Sequence, residues 1–234
     1  MMEVIDFHSH VLPGIDDGSK NIETSMKMLQ TSKASGVDRM IATPHFYADC
    51  DRIERFLERR EQAYLSIADK LSDDTPKLLL GAEVAFFEGI SQAEKIEALT
   101  IDDSNLMLLE MPFRTWRQSD IAEVKQLIYK RNFSLIIAHL ERYMKKTENR
   151  KYISELMELP VTIQINAESL LDWKQSRTLL RMVKKGQIHV LGSDCHGMHH
   201  RPPNLMEGRQ VIEKKAGADC LKRIDETGNR LLGR

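Results

Sequence analysis

Seven short apolar runs, each closing on a polar or ionisable residue and followed by a stretch of helical character, predict an α/β fold: a distorted TIM-like (β/α)7 barrel built as a single domain. The spacing agrees. From Asp6 through His45, Glu83, Glu110, His139, Asn166 and Asp194 the intervals are 39, 38, 27, 29, 27 and 28 residues, the rhythm of βα units. Histidines and acids gather at the ends of these runs, which favours a closed ring of strands. An open doubly wound sheet is the alternative.

The runs are Val4-Ile5-Asp6-Phe7-His8, Met40-Ile41-Ala42-Thr43-Pro44-His45, Leu78-Leu79-Leu80-Gly81-Ala82-Glu83, Leu106-Met107-Leu108-Leu109-Glu110, Leu135-Ile136-Ile137-Ala138-His139, Thr162-Ile163-Gln164-Ile165-Asn166 and Val190-Leu191-Gly192-Ser193-Asp194. Apolar stretches this short, bounded by turn residues, read as buried parallel strands. Between them, 21–35 carries a helical stripe of Ile22, Met26 and Leu29, with Gly36 placed as a C-cap. Segment 119–131 shows Ile121, Val124, Leu127 and Ile128 on one face, with Ser119 as its expected N-cap. Segment 176–185 repeats the pattern with Leu179, Leu180 and Val183 before Gly186.

The 234 residues suffice for one buried core, and 41% hydrophobic with 29% charged residues argues against disorder. Lys plus Arg number 34 and Asp plus Glu 35, a net charge of −1 that gives no basic footprint for nucleic acid. No apolar run exceeds four residues, so no membrane insertion is expected. Met1 to His10 has neither a basic nor an apolar region of the secretory kind. Cys50, Cys195 and Cys220, odd in number and far apart, suit a reducing cytoplasm.

The eight histidines hint at the chemistry, and their positions decide it. His8-Ser9-His10 puts two imidazoles on one side of an extended segment, and Asp194-Cys195-His196 repeats this geometry at the last strand end. Either pair alone reads as ordinary surface. Together with His45, Glu83, Glu110 and His139 at other strand ends, they fall on the face where parallel barrels place their sites. Asp16-Asp17-Gly18 offers a further ligand, or only a turn. Imidazoles and carboxylates without clustered thiolates suit Zn, Mn or Fe, and bridging carboxylates suit more than one ion.

These motifs resemble the PHP (polymerase and histidinol phosphatase) family, marked by His-x-His, separate His, Glu and His positions, then Asp-x-His. The likeness is closer to the bacterial capsule-operon tyrosine phosphatases. It is carried by Ile5-Asp6-Phe7-His8-Ser9-His10, Ile15-Asp16-Asp17-Gly18, Gly81-Ala82-Glu83, Ile137-Ala138-His139-Leu140-Glu141-Arg142-Tyr143, Gln164-Ile165-Asn166, Gly192-Ser193-Asp194-Cys195-His196, Arg201-Pro202-Pro203 and Asn229-Arg230-Leu231-Leu232. It therefore runs along the whole chain and implies one PHP-type metallophosphatase domain over 1–234.

The resemblance implies three divalent metals, Mn2+ first among Mn, Fe and Zn. His8, His10, Glu83 and Asp194 would hold one; Glu83 would bridge to a second held by Glu110 and His139; Asp17, His45 and His196 would hold the third. It implies Arg142 and Arg201 as catalytic phosphate binders, a role guanidinium fills through bidentate contacts. Against four carboxylates, three such ions would leave about +2 in the pocket of a near-neutral chain. Pro44 and the loop Met111-Pro112-Phe113-Arg114-Thr115-Trp116-Arg117 depart from the family pattern.

The implied reaction is hydrolysis of phosphotyrosine by metal-activated hydroxide, the tyrosyl leaving group having a pKa of about 10. The implied partner is a phosphotyrosine protein, a bacterial tyrosine autokinase regulating capsule or exopolysaccharide synthesis. Arg114, Trp116 and Arg117 are expected at the rim facing an acidic peptide. Rival readings are another PHP phosphoesterase, acting on histidinol phosphate or a nucleotide, and a scaffold with a degenerate site. A further rival is a cysteine-dependent phosphatase, since Cys195 and Arg201 have Cys-x5-Arg spacing. Its intervening loop, His196-Gly197-Met198-His199-His200, is too bulky for a phosphate-wrapping turn, so the spacing reads as accidental. His199 and His200 read as exposed turn histidines.

Overall fold

A computed structural model describes residues 2–102 and 104–233. The elements follow in order: β1 (Ile5–Ser9), α1 (Ile22–Ser35), β2 (Arg39–Ala42), β3 (His45–Phe46), α2 (Ile53–Ala68), β4 (Lys77–Leu80), β5 (Glu83–Ala85), β6 (Leu106–Glu110), α3 (Gln118–Tyr129), β7 (Ser134–Ile137), α4 (Leu140–Tyr143), α5 (Arg150–Met157), β8 (Thr162–Asn166), α6 (Ala167–Leu171), α7 (Trp173–Lys184), β9 (Val190–Gly192), α8 (Leu205–Ala216) and α9 (Ala218–Leu231).

All strand pairs are parallel. The ladders run β1-β2-β4 and β3-β5-β6-β7-β8-β9. β3 continues the path of β2 beyond Thr43-Pro44, and β5 continues β4 beyond Gly81-Ala82. Pro44 has no N–H to give a ladder, although its carbonyl still accepts from Glu83 N at 3.0 Å. The two breaks lie side by side and distort the sheet there. Seven strand paths result, in chain order. The ring closes between first and last: Ser9 bridges Cys195, and Asp194 N donates to His8 O at 2.7 Å. The distorted (β/α)7 barrel is the observed architecture, and the open sheet is excluded by that closure.

Side-chain alternation sorts the apolar residues into two layers. Ile5, Phe7, Ile41, Leu79, Leu106, Leu108, Ile136, Ala138 and Val190 form a compact inner cluster. Met40, Ala42, Met107, Leu109, Leu135, Ile137, Ile163, Ile165 and Leu191 join the larger cluster with the helices. In β6, Leu106, Leu108 and Glu110 share parity, so the inner stripe ends on a carboxylate. Phe7 meets α9 at Gly228, where a Cβ would come within 2.9 Å of the ring. Asn229 locks α9 to the start of the chain, with Nδ2 donating to Glu3 O at 2.9 Å.

Asn21 Oδ1 accepts from Thr24 N to cap α1, and Gly36 leaves the helix at φ 109°. Ser119 does not cap α3. The N-cap is Arg117, two residues earlier, and the buried Asp120 accepts from Arg117 N at 2.8 Å. Among the described residues, no helix is long and apolar enough to cross a membrane.

Candidate metal centre

Every strand path but that of β8 delivers an imidazole or carboxylate to one end of the barrel. His8 lies in β1, His45 starts β3, Glu83 starts β5 and Glu110 ends β6. His10, Asp17, His139, Asp194 and His196 follow strand ends. Glu83 is the hub. Its Oε2 stands 3.1 Å from His8 Nε2, 3.4 Å from His10 Nε2 and 2.9 Å from His45 Nδ1. Its Oε1 is 2.8 Å from His139 Nε2, which in turn lies 3.3 Å from Glu110 Oε1. Asp194 Oδ1 faces His8 and His10 at 3.5 and 3.4 Å. The exposed Asp17 Oδ1 lies 3.4 Å from both His45 Nε2 and His196 Nε2.

Among the described residues, donor atoms within 4.8 Å of one another form four overlapping groups: His10, Asp17, His45 and His196; His8, His10 and Asp194; His8, Glu83 and His139; His45, Glu83 and Glu110. All nine residues singled out from the sequence are among them. The chemistry of this set fits divalent cations. Glu83 Oε2 is fully buried and makes no hydrogen bond, although three imidazole nitrogens surround it. Such an atom is costly unless a positive charge compensates it.

The electrostatics agree. Burial opposes ionisation of Glu83, but the imidazoles of His8, His10, His139 and His45 hold its carboxyl well below the usual range. Asp194 is likewise held down against burial by His8 and His10. Burial works against the charge on His139, yet Glu110 and Glu83 raise it to about 9. His196 goes the other way, lowered to about 4 by burial, by His10 and by Arg201.

A further tier of side chains, not assigned roles from the sequence, aims these groups. Asp16, not Asp17, is the buried partner of His10: its Oδ2 meets Nδ1 at 2.7 Å and leaves Nε2 facing the cluster. Burial resists the Asp16 charge, but His10 and two backbone N–H groups hold its pKa at about 2. Along β8, Gln164 Oε1 accepts from His139 N at 2.7 Å, and Gln164 Nε2 donates to Asn166 Oδ1 at 2.9 Å. Asn166 Nδ2 then donates to Asp194 Oδ2 at 2.7 Å. Parity in Gln164-Ile165-Asn166 is the signal that puts both polar groups on one face.

Arg142 and Arg201 both meet Asp194 Oδ2, the oxygen turned away from the imidazoles. Three of these residues have left-handed backbones: His139 at φ 31°, Asp194 at 52° and Arg201 at 54°. Non-glycine residues pay roughly 1–3 kcal/mol for such conformations, which cluster where a site demands a particular aim.

Cys195 is buried in the main apolar cluster, opposite in parity to Asp194 and His196, and burial pushes its thiol far up. A thiolate nucleophile is not available there. The expected rim arginines are also engaged elsewhere. Arg114 forms a bidentate pair with Asp120 at 2.6 and 2.8 Å, and Arg117 pairs with Glu88. Trp116 is buried, its Nε1 donating to Pro112 O. The loop instead presents Phe113. His199 and His200 are exposed, beside Asp17 and His196.

The family described as "Capsular polysaccharide synthesis, CpsB/CapC" matches residues 4–231. The chain belongs to the CpsB/CapC family. Among its relatives, the tyrosine-protein phosphatase CpsB of Streptococcus pneumoniae is 30% identical over 239 residues, covering 94% of each chain. Tyrosine-protein phosphatase YwqE of Bacillus subtilis (strain 168) is 29% identical, covering 98% of this chain and 91% of its own. A solved structure from work on YwqE and CpsB, described as unique metal-dependent tyrosine phosphatases, superposes with TM-score 0.82. The identity is 26%, over 95% of this chain and 92% of that one. The phosphotriesterase homology protein of Escherichia coli shares the fold alone, with TM-score 0.56 at 11% identity over 97% of this chain and 98% of its own. The PHP-type resemblance of the motifs and the TIM-like architecture are therefore those of the CpsB/CapC family.

Proposed function

We propose that the chain, as one metallophosphatase domain, is a metal-dependent protein-tyrosine phosphatase. One observation carries the reading. Two arginines, Arg142 and Arg201, converge on the outer oxygen of Asp194 beside a buried set of imidazoles and carboxylates. That convergence supports reading the two guanidinium groups as phosphate-binding forks beside a cation-binding cluster. The names of the CpsB and YwqE relatives support the phosphotyrosine substrate.

The assignment we favour is three divalent ions, Mn2+ before Fe or Zn. His8, His10, Glu83 and Asp194 would hold one, Glu83 with Glu110 and His139 would hold a second, and Asp17, His45 and His196 would hold the third. His45 also borders the second site, since its Nδ1 lies beside Glu83. Bound divalent ions supply acidified water and charge for the phosphoryl oxygens. The chain's own groups do the rest. Glu83 and Asp194 stay ionised among the imidazoles, Arg142 and Arg201 bind and orient the phosphate, and Gln164 and Asn166 keep His139 and Asp194 aimed. A tyrosyl oxygen, with pKa of about 10, leaves with little help from an acid.

The capsular link of the family supports a bacterial tyrosine autokinase of capsule or exopolysaccharide synthesis as substrate protein. Three unpaired cysteines support a cytoplasmic setting. The test is a substrate panel in Mn2+, comparing kcat/KM for a phosphotyrosine peptide, a phosphoserine peptide and histidinol phosphate. Highest turnover of phosphotyrosine, abolished by chelation and restored by Mn2+, is expected. Preference for histidinol phosphate, or full activity in chelator, overturns the reading.

A further inference from the structure

Two solvent-exposed aromatic side chains line one pocket beside the cluster. Phe113, 52% exposed, comes from the loop after β6, and Tyr47, 41% exposed, follows β3. They belong to one pocket of about 370 Å3, whose other walls include Phe86, Phe87 and Pro112 and whose lining reaches Glu110. Isolated exposed aromatics are ordinary on protein surfaces. Two exposed aromatics on one aromatic-walled pocket whose lining includes the buried Glu110 have the usual form of a ligand site.

Each rim ring is also set against an imidazole of the cluster. Phe113 lies 5.9 Å from the His139 ring at an interplanar angle of 20°, and Tyr47 lies 5.2 Å from His45 at 28°. Phe113 is backed by the buried Tyr143 at 5.5 Å, which in turn packs on Trp116 at 5.2 Å. The loop is held by the Arg114–Asp120 pair. Phe113 is thus exposed yet supported from behind, as a binding surface must be if it is to order a ligand without first ordering itself.

We propose that Phe113 and Tyr47 bind the phenyl ring of the substrate and set the preference for aryl over alkyl phosphate esters. The inference rests on the phosphatase reading above. Glu110 and Asp194 lie at opposite ends of the contact chain through His139, Glu83 and His8. A ring held in this pocket lies beside Glu110, which contacts His139, whereas Arg142 and Arg201 meet Asp194. A seryl or other alkyl phosphate has no flat apolar body to fill this pocket. Asp49 and Glu110 are the acids of the pocket lining, and their negative charge disfavours a second anionic group there.

The experiment compares kcat/KM for a phosphotyrosine peptide with that for the matching phosphoserine peptide, in Mn2+, for wild type and Phe113→Ala. Metal content is measured alongside. The aryl-to-alkyl ratio is expected to fall about tenfold, as the loss of an aromatic contact and its buried area implies, and to return in Phe113→Trp. Tyr47→Ala, in the segment after β3, reads the same ratio where Phe113→Ala loses metal. An unchanged ratio in both alanine variants with metal retained overturns the ring site but leaves the phosphatase reading standing. A wild type without phosphomonoesterase activity overturns both.

Discussion

At Asp16 and Asp17 two adjacent carboxylates separate into different tasks. Asp17 is exposed and turned toward His45 and His196; Asp16 is buried and bonded to His10 Nδ1. A sequence shows the pair but not the turn that buries one member. The turn depends on Gly18, where any Cβ would fall 2.4 Å from both the Cβ and the carbonyl oxygen of His10. Asp16→Asn keeps the size and weakens the hold on the imidazole. Mn2+ affinity, titrated into chelator-stripped protein, is expected to fall about 10–100-fold, as for other partners of metal-binding histidines. Wild-type affinity would mean that the backbone alone aims His10.

Strand ends are where the elements do their work. The apolar alternation that makes β6 and β9 strands also decides which polar side chain comes last on the inner face. Close packing between strands then sets how near those ends approach. Gly192 in β9 shows it: a Cβ there would stand 2.5 Å from His8 Cβ and 2.8 Å from Gln164 Nε2. Gly192→Ala is expected to cost about 1–3 kcal/mol of stability by overpacking and to lower metal content by moving His8. Thermal unfolding together with elemental analysis checks both, and an alanine variant matching wild type in each would show that β9 has room to shift. The loop after β6 is the contrary case. Arg114 looks like a substrate contact in the sequence because its partner Asp120 lies inside the next helix, and only the backward reach of the α3 cap reveals the pair.

At the scale of the molecule, the candidate ligands come from strands on both sides of the closure between β1 and β9. A cation bound among them ties together elements far apart in sequence, so unfolding any part of the ring releases it. Metal binding should therefore stabilise the whole barrel in one cooperative step. At 100 times Kd, one site contributes about 2.7 kcal/mol, which for a domain of this size raises Tm by roughly 5–10 °C. Melting curves in Mn2+ and in chelator test this; coincident curves would mean that the cluster binds no ion tightly in the folded state.

Much of this protein is legible in one dimension because strand and helix periodicities are local. Seven apolar runs at βα spacing give the barrel, and His-x-His with Asp-x-His at its two ends, plus single acids and imidazoles between, give the candidate ligands. What local pattern does not carry is direction. Whether Asp16 or Asp17 turns inward, whether Gln164 and Asn166 support ligands, and whether Arg114 or Phe113 faces substrate all depend on contacts between residues distant along the chain or on the turn each occupies. Those contacts exist only after the ring has closed, since closure brings β8 beside His8 and His139 and sets the rim loops around one mouth. Composition and period determined the barrel and its chemistry; tertiary packing decided which atoms face the centre.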